Sequence, residues 1–131
     1  MGYHEFMTTA LLLIAHGSRN AEANDDLYHV VGALRRRGLY EVVEGAFLEI
    51  AQPDIATAAF KCVGHGAHRV VLLPYFLSPG IHVREDLQEI QRQLGERFPA
   101  VEFLLGEPLG RHESLIELLE LRARETMTRK H

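Results

Sequence analysis

Three short apolar runs, at residues 10–15 (ALLLIA), 42–48 (VVEGAFL) and 69–76 (RVVLLPYF), constrain this chain more than any other feature. Each is shorter than a typical helix, and the third is rich in β-branched residues, which suits strands covered on both faces. Helical stripes separate them. Leu27, Val30, Val31 and Leu34 repeat at helical spacing before Gly38, a stop residue. Ile55, Ala58, Ala59 and Cys62 form a second stripe behind Pro53, whose locked φ fits a helix start. Leu87, Ile90 and Leu94 form a third, closing near Phe98 and Pro99. Residues 101–105 read as a fourth strand, 106–110 as a loop, and Leu115, Leu118 and Leu119 as a last helix.

Strands alternating with helices of this length predict one α/β domain over residues 1–131: a doubly wound sheet of four mainly parallel strands with helices on both faces. The ends, 1–8 and 126–131, are expected to be flexible. A 2-1-3-4 strand order would place the topological switch beside strand 1. A ligand crevice is then expected between the loops that carry His16 and His82.

Composition excludes several classes. With 47% hydrophobic and 24% charged residues the chain is neither of disordered nor of membrane type. No apolar run approaches the ~20 residues of a span, and the first nine residues carry no secretory pattern, so a cytoplasmic location is expected. A formal charge of −4 argues against a nucleic-acid surface. The basic run Arg35, Arg36 and Arg37 reads as a solvated helix end. The lone Cys62 falls on a helical core stripe and reads as a buried thiol, not a nucleophile.

The chemistry gathers on His16, Glu49 and His82, which are 33 residues apart in each step, and each of which follows a strand. A βαβ repeat of roughly 30 residues would bring all three to the carboxyl edge of one sheet. Two imidazoles and a carboxylate can hold a divalent metal or move protons. Gly17-Ser18 and Pro79-Gly80 leave the two imidazoles open. Glu49 has competing roles, as a cap for the helix near Asp54 or as an arginine partner. His4, His29, His65, His68 and His131 have no such positional argument. Arg19, Arg84 and Arg111 follow strands 1, 3 and 4 and would ring the same crevice, where they could attract an anionic substrate; ordinary surface arginines are the competing reading. Gly64-His65-Gly66 precedes a strand and reads as a helix-to-strand turn, not a phosphate loop. Asp25 and Asp26 suit the amino half of a helix.

The segments HGSR at 16–19, FLEIAQPDI at 47–55, LPYFLSPGIHVREDL at 73–87 and GEPLGRHESLIELL at 106–119 resemble the small single-domain sirohydrochlorin chelatases of the CbiX type. The resemblance implies a chelatase-like, flavodoxin-like fold and insertion of a divalent metal into sirohydrochlorin on the route to cobalamin, without ATP or flavin. Cobalt ranks first as the metal, then iron for siroheme, with nickel also open. It places the metal-site histidines at His16 and His82, the nearby acidic residue at Glu49, and two subunits around one active unit. Ser18 and Arg19, the apolar Leu77, Ile81 and Leu109, and Arg84 and Arg111 are expected to face the macrocycle or its carboxylates. The residues themselves leave open a carrier that binds metal or tetrapyrrole without turnover, and a flavodoxin-like nucleotide binder with phosphate at the 16–20 loop. A receiver domain is disfavoured, because strand 3 ends in Pro74-Tyr75-Phe76 and not in an aspartate.

Overall fold

The computed structural model describes residues 7–129. Its elements alternate as β1 (Thr8–Ala15), α1 (Ala21–Arg37), β2 (Val42–Phe47), α2 (Ile55–Gly64), β3 (Ala67–Pro74), α3 (Ile81–Arg97), β4 (Glu102–Leu105) and α4 (Glu113–Thr128). The sheet has the order β2-β1-β3-β4, and every pairing is parallel. This is the doubly wound α/β arrangement expected from the apolar runs. The loops after β1 and β3 diverge where the order reverses.

Alternation along β1 divides the core. Ala10, Leu12 and Ile14 face α2 and α3, packing with Ile55, Ala59, Cys62, Leu87 and Leu94. Leu11 and Leu13 face α1, packing with Leu27, Val31, Val43 and Phe47. Burying a side chain of leucine size is worth about 1.5–3 kcal/mol, so these two layers hold the sheet rigid beneath the loops.

Helix ends follow local chemistry. The Asn20 side chain caps α1 by accepting the Glu22 N–H, and α1 stops at Gly38 with φ 69°. Asp54 caps α2 by accepting the Thr57 N–H at 2.8 Å, so the cap considered for Glu49 is supplied by Asp54 itself. The Arg35–Arg37 run is the last turn of α1, as expected. Gly64-His65-Gly66 turns from α2 into β3, with Gly66 at φ 93°.

Two expectations shift. His82, expected in a loop opened by Pro79-Gly80, instead lies in the first turn of α3, which begins at Ile81. The tail expected to fray from Thr126 is helical through Thr128; residues 1–6 and 130–131, and with them His4 and His131, lie outside the described residues. α4 differs from the other helices in burying none of its residues: Ile116, Leu118, Leu119 and Leu121 are exposed. Among the described residues no helix is long and apolar enough to cross a membrane.

Candidate functional site

The ladder between β1 and β2 continues past the last strand residues. Leu48 N–H donates to the Ala15 carbonyl at 2.9 Å, and Glu49 N–H donates to the His16 carbonyl at 3.1 Å. Backbone pairing therefore sets His16 and Glu49 side by side, and their side chains meet with Nε2 3.0 Å from Oε1. Both are roughly half exposed, at 55% and 57%, so the pair is open to a ligand.

Gly17 makes this approach possible. Its φ is 103°, and a Cβ built there would lie 1.9 Å from the Glu49 carbonyl oxygen. The 48–53 loop closes tightly behind it. Phe47 N–H donates to the Pro53 carbonyl at 2.9 Å, and Ala51 N–H to the Glu49 carbonyl at 2.7 Å. Ile50 is held at φ 70° with its side chain exposed. A β-branched residue in that region is an outlier that costs about 1–3 kcal/mol. β2 before the loop and α2 after it hold the backbone that sustains that strain.

Ser18 is a structural anchor in the loop after β1. Its N–H donates to Asn24 Oδ1 at 3.0 Å, Asn24 Nδ2 donates to its carbonyl at 2.8 Å, and its hydroxyl accepts the Asn20 N–H at 3.0 Å. Asn24 thus holds the loop that carries His16 and Arg19, a positioning role the sequence reading missed. Arg19 is exposed.

The second 33-residue step is not geometrically equivalent to the first. β1 and β3 pair Ile14 with Pro74, and Tyr75 N–H donates to the Ile14 carbonyl at 2.7 Å. Continuing that register places Phe76, not His82, beside His16. His82 lies six residues further on, in the first turn of α3. Its side chain is 93% exposed, and its nearest carboxylate is Glu85 on the same helix, 3.8 Å away. Among the described residues no group of three or more His, Cys, Asp or Glu side chains is arranged to hold a metal. The structure therefore joins two of the three proposed site residues.

Around this edge, Leu77 and Ile81 are exposed, and Leu109 is less so. A groove of ≈ 370 Å³ is lined by Glu49 together with Val83, Asp86 and Glu89 of α3. The two acidic residues lie three apart on that helix, a spacing legible in the sequence but not singled out there. The Arg92 guanidinium holds the Glu89 carboxyl below its ordinary range. A second cleft, ≈ 550 Å³, lies between the loops after β3 and β4 and is lined by Leu77, Arg84, Arg111 and His112 among others. His112 was also passed over; its signal was its place just before a helical stripe, where it caps α4.

A parallel doubly wound sheet carrying an open imidazole–carboxylate pair at its carboxyl edge defines an α/β protein whose candidate site lies at the strand ends, where folds of this class bind ligands. Residues 10–126 match the CbiX family, and the chain belongs to it. It is 33% identical over 118 residues to the chloroplastic sirohydrochlorin ferrochelatase of Arabidopsis thaliana, covering 90% of this chain and 52% of that one. It is 32% identical over 117 residues to the sirohydrochlorin cobaltochelatase of Sulfurisphaera tokodaii, covering 89% of this chain and 92% of that one. The sirohydrochlorin chelatase SirB of Bacillus subtilis subspecies spizizenii, solved in complex with cobalt, superposes with a TM-score of 0.82 at 27% identity, over 91% of this chain and 51% of that one. The chain thus spans about half the length of the first of these relatives and of SirB, and nearly all of the archaeal one.

Proposed function

We propose that this protein inserts a divalent metal ion into sirohydrochlorin without ATP, with cobalt as the first-ranked ion and cobalamin synthesis as the route served. The observation that carries the reading is the His16–Glu49 pair, 3.0 Å apart and open at the carboxyl edge of a CbiX-family sheet. Insertion requires an ion to shed water, two pyrrole protons to leave, and the ion to reach one face of the ring. A site of few protein ligands suits this, because the ion must be handed on.

The His16 Nε2–Glu49 Oε1 contact orients the imidazole and directs its other nitrogen away from the carboxylate. A metal bound at Nδ1 is oriented by that contact, and Glu49 is placed to accept a proton. His82, with its side chain exposed on the first turn of α3, is proposed as the second imidazole. Iron insertion is the second reading, favoured by the ferrochelatase among the relatives, with nickel third; intrinsic affinity orders do not single out cobalt. We further propose that two copies form the working unit. The exposed apolar residues of α4 and the doubled length of several relatives support this.

The test is the insertion rate with Co²⁺, Fe²⁺ and Ni²⁺ on the wild type, His16→Ala, His82→Ala and Glu49→Ala, followed by sirohydrochlorin absorbance over many equivalents. The expected loss is about 10²–10⁴-fold for His16→Ala. Full activity in both histidine variants would sink the mechanism. Reaction that stops near one equivalent would make the protein a carrier instead.

A further inference from the structure

We infer that the cleft between the loops following β3 and β4 is a carboxylate subsite, in which Arg84, Arg111 and His112 grip an acidic side arm of the substrate. The cleft has a volume of ≈ 550 Å³. Its floor is built as firmly as the His16 side of the edge. Leu109 N–H donates to the Phe76 carbonyl at 3.0 Å and Gly110 N–H to the Leu77 carbonyl at 2.8 Å, which prolongs the strand pairing into the loops. A Cβ on Gly110 would meet the Leu77 oxygen at 2.3 Å, so only glycine allows this approach. The next residue, Arg111, is held in the left-handed region at φ 57°. Backbone strain of this kind concentrates at ligand clamps.

The polar groups around the cleft are mainly donors. A guanidinium has no acceptor atom, and among the described residues neither Arg84 nor Arg111 pairs with a carboxylate, although Glu107 lines the same cleft. His112 Nδ1 accepts the Ser114 N–H at 3.0 Å, which leaves the proton of the neutral ring on Nε2 as a further donor. Arginine forks matched to an unpaired oxyanion are the usual solution for carboxylate recognition.

The placement fits the substrate class. The subsite lies at β3/β4 and the His16–Glu49 pair at β1/β2, about 10 Å apart across two strand spacings. A ring with its centre over His16 would reach the cleft with a peripheral acid arm. This step rests on the reading of the substrate as a carboxylated tetrapyrrole, and its test is chosen to stand apart from metal insertion.

Metal-free uroporphyrin, a polycarboxylate tetrapyrrole, is titrated by fluorescence into the wild type, Arg84→Gln/Arg111→Gln and Glu107→Gln, with the arginine Nε–H and His112 ring signals followed by NMR. The double variant is expected to bind about 10- to 100-fold more weakly, and Glu107→Gln more tightly, with Co²⁺ affinity unchanged in both. In the insertion assay the double variant raises KM and spares kcat. Affinity of the double variant within twofold of wild type, arginine signals that stay still at saturation, or a wild type that does not bind the probe would each overturn the subsite. Probe binding at these arginines in a wild type that inserts no metal would uphold the subsite and overturn the chelatase reading.

Discussion

Replacing Gly17 by alanine isolates the contact on which the site depends. The new Cβ would start 1.9 Å from the Glu49 carbonyl oxygen, whereas a close C–H···O contact needs ~3.3 Å. The loop after β2 must therefore recede by about 1.4 Å, and the His16–Glu49 bond at 3.0 Å cannot survive that recession if the carboxylate moves with its backbone. Alanine at φ 103° adds strain of about 1–3 kcal/mol, which corresponds to a fall in Tm of roughly 4–12 °C for a domain of this size. Displacement of a reacting group by ~1 Å can cost about 10²-fold in rate. Thermal unfolding and the metal-insertion rate are measured together. Gly38→Ala serves as the control, because Gly38 also has positive φ, 69°, but nothing within 4 Å of the added Cβ; it should lose about 1 kcal/mol and keep its rate. A Gly17→Ala protein with Tm within a degree of wild type and an undiminished rate would refute the argument.

Two other outcomes follow from groups away from the site. Asp54→Ala should cost about 1 kcal/mol by uncapping α2, measured by urea unfolding. The bond from Thr57 depresses the Asp54 carboxyl below the ordinary 3.8; the wild-type advantage is full above that value and disappears as pH falls through the depressed one, so equal pH dependence of the two proteins would count against the cap. Burial, reinforced by the Glu44 charge, pushes the Cys62 thiol up to about 12. The folded protein should resist thiol reagents at pH 8 until it is denatured. Because the folded state holds this proton longer, the thiol's contribution to stability declines as pH rises above the ordinary 9.0.

The elements of the sheet were legible because each apolar run and stripe answers to a local rule: strands buried on both faces read as continuous hydrophobic stretches, and helices as 3.6-residue stripes. The His16–Glu49 pair was legible for the same reason, since the β1–β2 register falls within one residue of their spacing. His82 was not, because its equal spacing counts a turn and the start of α3 as though they were strand. Ser18 looked like a binding residue from its loop, but its hydrogen bonds go to Asn20 and Asn24, partners that only folding supplies. His112 escaped notice because the cleft it lines forms only when the loops after β3 and β4 come together.

The apolar periodicity of α4 predicted a helix but not its exposure. A helix of 16 residues is about 24 Å long, and in isolation such a length is only marginally folded in water. Its backbone hydrogen bonds consequently have little reserve of their own. The carboxyl-terminal segment is the first place where amide exchange will register a loss of packing, long before the four-stranded sheet opens.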